Sequence, residues 1–543
     1  MLHDIMNVVM NMKKNELVQG TCIDYTNEGL GIVKIDGFPV FVKNLLIGEE
    51  AQIQIMKVTT HLGYGRVVKR ISTSKDRTEP CCTSYRLCGG CHLQHMSYEH
   101  QMKFKTDRVK NCFERIAKLN VHVEDCLGMS DPWKYRNKVQ IPVQEDNGKA
   151  ILGFYRSHSH DIVEYEECLV QSDLQNQVTV YLRERLAYAP SLKHLRHVLV
   201  KHALISDEAM AVLIVKKDHP EWMMIARDLV QQFPQIKTVV LNFNERNDNV
   251  ILGEKEKVLV GSGMIRENLK NLSFGISSKS FYQINPYQTE VLYSKALEFA
   301  QLTGNEEVVD VYCGTGTIGL FASSSAKHVT GIEIVKEAVE DAKRNAQYNG
   351  ITNADFICSD AGAATETLFK QGIAPDVVIV DPPRKGLDQK TIESCTGMNP
   401  KRIVYVSCDP ATCARDCAIF EALNYHVEKV QPVDMFPHTH HVETVVLLSR
   451  EKADDHIRFS INTEDLKKNV GGYATYGDIK AYVLEKFGLK VSSLYIAQTK
   501  DKCGIKEREN YYIGEGKSKE LICPPEKEKA IMDAFRHFGM LRD

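Results

Sequence analysis

Residues 306–319 constrain the fold most. They read EEVVDVYCGTGTIG, an apolar run of strand length that breaks into a glycine-rich turn and opens a helix. Gly314, Gly316 and Gly319 let a ligand approach the backbone and present a helix N-terminus to it. The next strand, GIEI at 331–334, carries Glu333 at its end. A carboxylate placed there can accept both ribose hydroxyls of an adenosine-type cofactor. This pattern alone is shared by dinucleotide and S-adenosylmethionine sites.

The surrounding residues, 278–450, extend the same logic. Runs of strand length (EVVDVY, HVTGIEI, DVVIVDPP, RIVYVSCDP, VETVVLLS) alternate with helical stretches, one of them from about 335 to 349. Alternation of this kind predicts a mainly parallel sheet with helices on both faces. Near-continuous Val and Ile strands fit a sheet buried on both sides. Ligands in such sheets sit at the carboxyl ends of strands. Two further strand ends carry chemistry. Asp381-Pro382-Pro383-Arg384 forms a rigid lip, and Ser407-Cys408-Asp409-Pro410 puts a thiol at the mouth. A single cysteine is ordinarily a small buried apolar side chain. The position of Cys408, beside a methyl donor, favours covalent activation of a substrate instead. Cys413 and Cys417, spaced as on the following helix, read as structural.

A chain of 543 residues exceeds one hydrophobic core, so three or four domains are expected. Residues 14–75 have short alternating strands (Ile32–Ile35, Val40–Val42, Ala51–Val58) punctuated by Gly, Asn and Asp, as in a small β-barrel. A loose basic run follows (Arg66, Lys69, Arg70, Lys75, Arg77), either a solvated face or a nucleic-acid contact. Residues 101–120 predict a basic helix, and 135–275 mixed strands. The appendage at 451–543 has helical stretches around 476–486 and 526–538. Hydrophobic content of 43% and charged content of 26% are those of a globular chain. No apolar run reaches the roughly 18 residues that span a bilayer. The stretch MLHDIMNVVMNMKKNEL does not read as a signal peptide, so a cytoplasmic location is expected, with no membrane partner.

Sixteen cysteines in a reducing compartment point to metal binding or catalysis rather than disulfides. Cys82, Cys88 and Cys91 form a C-x5-C-x2-C cluster, and Cys168 in EYEECLVQSD supplies a fourth thiol. Such a set suits zinc or an iron–sulfur cluster, and spacing does not separate the two. Cys81 is an extra neighbour, but the x5 spacing favours Cys82. Four thiols and no open position read as a structural site.

Six motifs in order carry a resemblance: SFYQINPYQTEVLY (with Phe281, Gln283, Asn285 and Gln288), DVYCGTGTIGL, GIEIVKEAVEDAKRNAQYNGI, DPPRKGL, VYVSCDPATCARD and HTHHVETVVLL. Together they resemble the RNA uracil-5-methyltransferase family. The resemblance, spanning roughly residues 14–450, implies Cys408 as nucleophile and Glu443 as base. It implies Gln283, Tyr312, Gly314, Glu333 and Asp381 as S-adenosylmethionine positions. Where most members have Leu or Val, this chain has Tyr282, a departure with no evident consequence. The CGGC-HLQH run and the Cys168 context resemble the branch that carries a [4Fe–4S] cluster, which favours the cluster over zinc. The N-terminal segment resembles a TRAM domain, an OB-like RNA-binding barrel. Lys134, Tyr135, Arg136, Asn137 and Lys138 resemble a segment near the RNA cleft, a solvated basic strand being the alternative. The C-terminal appendage resembles extensions carried by some members.

The chemistry asks for such a pair. Thiolate addition at C6 gives uracil carbanion character at C5, which can then take a methyl group; a base must remove the C5 proton before the thiolate leaves. A stacked base is out of reach, so the nucleotide must be flipped out or lie in a loop.

The expected fold class is a multidomain α/β chain. It has an OB-like barrel (14–75), a mixed α+β central domain with the cluster and an RNA-contact surface (76–275), a Rossmann-like doubly wound methyltransferase domain (276–450) and a small helical extension (451–543). The expected partner is RNA, not DNA, bound by a monomer. The combination of TRAM domain and cluster implies 23S ribosomal RNA. A transfer-RNA uridine methyltransferase is the first rival. A non-catalytic RNA-binding assembly factor is opposed by the intact Cys408 and Glu443.

Overall fold

The computed structural model describes residues 12–157, 159–450, 476–503, 523–538 and 540–541. The described residues up to Arg450 form one compact unit, and those from Tyr476 on a second.

The first unit opens with a closed barrel of β1 (Leu17–Tyr25), β2 (Gly31–Ile35), β3 (Phe38–Lys43), β4 (Glu50–Val58) and β5 (Gly63–Arg70), in the order β1-β2-β3-β5-β4. Alternation along β4 turns Ala51, Ile53 and Ile55 inward onto Val33, Phe38, Val40 and Val42, which fill the lumen. Glu49 is fully buried at the barrel's end. Its carboxylate accepts from Arg77 Nε at 2.6 Å, from Arg70 Nε at 3.3 Å and from the backbone N–H of Leu46 at 2.9 Å. Two members of the basic run are thus spent neutralising a buried acid. The run read from sequence as one basic face is a mixture, because charge spacing does not reveal a partner some 20–30 residues away.

Helix Tyr98–Cys112 follows, capped by Ser97, whose hydroxyl accepts from the His100 N–H at 3.2 Å. The expected helix over 101–120 is shorter. It passes into a wider π-type turn at Phe113–Ala117 and stops where Lys118 enters the left-handed region (φ 59°).

A second sheet contains β6 (Lys138–Asp146), β7 (Lys149–Tyr155), β8 (Ile162–Glu164), β9 (Leu195–Ala203), β10 (Glu208–Val215), β11 (Ile236–Phe243) and β12 (Lys255–Val260), ordered β12-β11-β10-β9-β6-β7-β8. Strands β9–β11 are buried on both faces. Helices Asp173–Arg185 and Glu221–Gln232 cover one face. The other meets a hairpin of β13 (Met264–Leu269) and β14 (Leu272–Ser277), through which it shares a core with the third sheet.

The third sheet holds β15 (Glu307–Val311), β16 (His328–Glu333), β17 (Ala354–Cys358), β18 (Val377–Val380), β19 (Arg402–Ser407), β20 (Tyr425–Val433) and β21 (Glu443–Arg450) in the order β17-β16-β15-β18-β19-β21-β20. The first five run parallel; β21 runs antiparallel to both its neighbours, β19 and β20. Successive residues face opposite sides. Val308 packs with Leu292, Ile318 and Val339 of the helices on one side, whereas Val309 packs with Leu368, Ile392 and Phe420 on the other. Cys413 and Cys417, expected to be structural, are fully buried on helix Pro410–Ala422.

In the second unit, helices Tyr476–Phe487, Ser493–Lys502 and Pro525–His537 bury Ile479, Val483, Ile496, Ile531 and Phe535 among themselves. Among the described residues no helix is long and apolar enough to cross a membrane.

Candidate active site

A cavity of about 610 Å³ opens at the carboxyl ends of β15, β16, β18 and β19. Gln283, Tyr312, Gly314, Glu333, Asp381, Cys408 and Glu443 all line it. The sequence-predicted cofactor positions and reactive pair therefore share one chamber.

The pair read from sequence as nucleophile and base, Cys408 and Glu443, is brought together by strand register. β19 and β21 pair from Arg402 with Ser449 to Ser407 with Thr444. The next step of that register sets Cys408 opposite Glu443, and directly opposed residues project from the same face. Cys408 is half-buried, whereas Glu443 is only 2% exposed. Glu443 Oε2 has no hydrogen-bonding partner, so one acceptor atom is buried and uncommitted. Burial and the neighbouring Asp381 carboxylate push Glu443 up to about 8, with Arg384 opposing them. Burial, then Glu443 and Asp381, push the Cys408 thiol up to about 12, again against Arg384. Burial holds Asp381 itself up at about 7. The chamber thus disfavours the anionic forms of both thiol and carboxyl.

The glycine turn lines the same cavity. Tyr312, at φ 69°, and Gly314, at φ 56°, both lie in the left-handed region. A Cβ added to Gly314 would meet nothing within 4 Å, so the backbone there faces open space. The Glu333 carboxylate is aimed by the backbone, accepting from Gly314 N–H at 3.1 Å and Val335 N–H at 2.9 Å. Each carboxylate oxygen keeps a further acceptor site. Asp310, fully buried under the turn, accepts from Gly319 N–H at 2.9 Å. Open backbone, an oriented carboxylate and the Asp381 lip suit an adenosine-type methyl donor.

These features match known proteins. A model of the tRNA (uracil-5-)-methyltransferase family matches residues 97–451, and a model of the TRAM domain matches residues 22–68. The chain belongs to the tRNA (uracil-5-)-methyltransferase family. An uncharacterized RNA methyltransferase of Bacillus cereus is 44% identical over 450 residues, covering 81% of this chain and 98% of that protein. Another from Clostridium acetobutylicum is 44% identical over 457 residues, covering 82% of this chain and 99% of that one. Among solved structures, the Pyrococcus abyssi tRNA (uracil-54, C5)-methyltransferase in complex with S-adenosyl-L-homocysteine is 26% identical with a TM-score of 0.63. It covers 79% of this chain and 99% of that one. This is a S-adenosylmethionine-dependent RNA methyltransferase with a TRAM barrel.

Other family motifs in the methyltransferase have structural duties. Asn285 caps helix Pro286–Ala300, accepting from Gln288 N–H at 3.2 Å, and donates to Met435 O at 3.2 Å. Gln288 Nε2 donates to Leu127 O at 2.9 Å and Asp434 O at 3.1 Å. Both hold the end of β20, beyond which Phe436 joins the cavity wall. Sequence reasoning missed Phe436; its signal was an aromatic residue just ahead of the His-rich HTHH motif.

Lys105 and Asp434 lock that loop from below. Both side chains are fully buried and ion-paired. Lys105 Nζ also donates to Phe436 O at 3.1 Å, and Tyr98 OH donates to Asp434 at 2.8 Å. Removing one partner of a buried pair strands the other. Lys105→Met should therefore cost about 3–5 kcal/mol of stability, read from urea unfolding. A loss below about 1 kcal/mol, the scale of an exposed pair, would show that the pair is no lock.

The basic segment 134–138 is partly internal. Tyr135 is fully buried and donates to Pro437 O at 3.0 Å, and Asn137 Nδ2 donates to Gln283 O at 2.7 Å. Lys134 pairs with Asp173 at 2.8 Å. Arg136 and Lys138 instead line a separate cavity of about 260 Å³ together with Cys82, Cys88, Cys91 and Cys168. Cys81 is exposed and not part of that wall, and none of these cysteines is in a disulfide. Burial pushes the Cys91 thiol up to about 12 and Cys168 up to about 11. Four thiolates there need compensating positive charge. Among the described residues no three His, Cys, Asp or Glu side chains close on a single ion.

Proposed function

We propose that this methyltransferase acts on C5 of a uridine in 23S ribosomal RNA. The observation that carries the reading is the placement of Cys408 opposite Glu443 in the cavity that Glu333 and Asp381 also line. Cys408 bonds to uracil C6, charge gathers at C5, and Glu443 takes the C5 proton once the methyl group has arrived. Expulsion of the thiolate then restores the ring. Gln283, Tyr312, Gly314, Glu333 and Asp381 would hold S-adenosylmethionine, which supplies the electrophilic methyl group. Proximity of Arg384 to both reacting side chains favours their anionic forms.

Cys82, Cys88, Cys91 and Cys168 would hold a [4Fe–4S] cluster with a structural role. A shared cavity flanked by the cations Arg136 and Lys138 supports this. Protein purified without oxygen should be brown and contain about four irons per chain. Stoichiometric zinc without iron would reject the cluster.

The 23S assignment rests on the pairing of a TRAM barrel with the four-cysteine set. Transfer RNA is the second reading, favoured by the likeness to the archaeal tRNA (uracil-54, C5)-methyltransferase. Mapping 5-methyluridine in cellular RNA with and without the gene decides between them. Loss from 23S RNA supports the first reading, and loss from transfer RNA alone replaces it with the second. An unchanged map excludes both.

A further inference from the structure

A stepped row of rings leads away from the cavity. Phe436 lines its wall. His441 meets Phe436 edge-on, with centroids 5.8 Å apart at 68°. His440 tilts against His441 at 4.2 Å, and His92 against His440 at 4.6 Å. The row draws on two distant segments, the loop between β20 and β21 and the cysteine loop. The backbone N–H groups of His92 and Leu93 join these segments, donating to His438 O at 2.8 and 3.0 Å. Behind the row, buried His438 stacks on Trp133 at 3.8 Å and 19°. The row is therefore held from both sides, while His92, His440 and His441 stay partly open to solvent.

Cations flank this row. Arg384 stands at the cavity wall, Arg108 Nη1 donates to His440 O, and Lys43, the last residue of β3, acts on His92 from the barrel. His440 and His441 are held well below the ordinary imidazole range. Burial and then the neighbouring His441 and His92 bring His440 down to about 3; burial and then Arg384 bring His441 to about 4. Uncharged flat rings suit the faces of bases, and the guanidinium and ammonium groups suit phosphates.

We propose that His441, His440 and His92 form a stacking ladder for the nucleotides adjoining the target base, guiding single-stranded RNA between the barrel and Cys408. This rests on the uridine reading above, because a flipped or looped uridine leaves its neighbours without stacking partners. Every base has a π-face, so the ladder tolerates sequence, and selection of the target falls to the cavity and to RNA shape.

The test uses full-length protein and decauridylate carrying one internal 2-aminopurine, whose fluorescence falls on stacking. Wild type should bind the oligonucleotide and quench it. The double variant His440→Ala/His441→Ala should bind about tenfold to a hundredfold more weakly and lose the quenching. His440→Phe/His441→Phe should restore both, since it returns the rings without the ring nitrogens. Affinity for S-adenosylhomocysteine monitors folding. If the alanine variant loses that affinity, the phenylalanine variant decides: quenching retained supports the ladder, and quenching lost overturns it. Absence of binding or quenching in wild type, or equal quenching in the alanine variant, also overturns it. Methyl transfer from labelled S-adenosylmethionine to undermethylated ribosomal and transfer RNA tests the uridine reading separately. Transfer without quenching leaves that reading and removes the ladder. Quenching without transfer removes that reading and leaves a single-strand-binding ladder.

Discussion

Replacing Cys408 with alanine is expected to lower methyl transfer to RNA by at least ~10⁴-fold, the scale seen when a covalent nucleophile is removed. Cys408 follows the last residue of β19 and is half-buried at the cavity, so losing its sulfur leaves little void. Affinity for S-adenosylhomocysteine should stay within about twofold of wild type, because Tyr312, Gly314 and Glu333 line the cavity from the ends of β15 and β16, not from β19. Transfer of labelled methyl groups and donor affinity are measured side by side. Residual turnover within about tenfold of wild type would sink the nucleophile. Loss of donor affinity together with turnover would instead mark Cys408 as part of the wall.

Glu443→Gln should behave differently, by trapping a covalent intermediate that Cys408→Ala never forms. In the proposed mechanism the carboxylate acts after the thiolate has bonded to C6 and the methyl group has moved. Without a base the C5 proton stays, and the thiolate cannot leave. A methylated covalent RNA–protein adduct should therefore persist on a denaturing gel with labelled methyl donor, and Cys408→Ala should give none. Glutamine keeps the shape of the buried side chain. Glu443 Oε2 makes no hydrogen bond, so the change should not cost a structural ion pair. The pH profile adds a second reading. Burial and Asp381 hold Glu443 near 8, and only the ionised form accepts a proton, so kcat, which includes this late step, should rise with pH through the neutral range toward about 8. A folded Glu443→Gln protein that turns over normally would remove the base role. Proton acceptance would then need another group, and His441, nearest in sequence, is held down at about 4 and is not part of the cavity wall.

Much of the site was legible without coordinates. The glycine turn, Glu333, the Asp381-Pro382-Pro383 lip and Cys408 each sit where a Val/Ile run ends, and in a parallel sheet those ends lie on one edge. Local pattern therefore located them together. Less was legible where the partner is distant. Arg70 and Arg77 read as part of a basic run, either a solvated face or a nucleic-acid contact, yet both neutralise Glu49 inside the first unit. Asn285 and Gln288 matched a family motif and serve to hold the end of β20. The row from Phe436 to His92 joins segments more than 300 residues apart, and no periodicity announces such a meeting.

By itself the sequence determined the strand–turn–helix cofactor edge, the thiol at a strand end, the barrel's alternating strands and the set of four cysteines, because each is written in residue type and short spacing. Tertiary structure alone decided that β21 runs antiparallel between β19 and β20. That reversal brings the first residue of β21, Glu443, opposite Cys408 at the cavity. A parallel β21 would have put Glu443 at the far edge of the sheet. Strand direction and register are set by long-range pairing and by which face must be buried, and the local run VETVVLL is compatible with either direction.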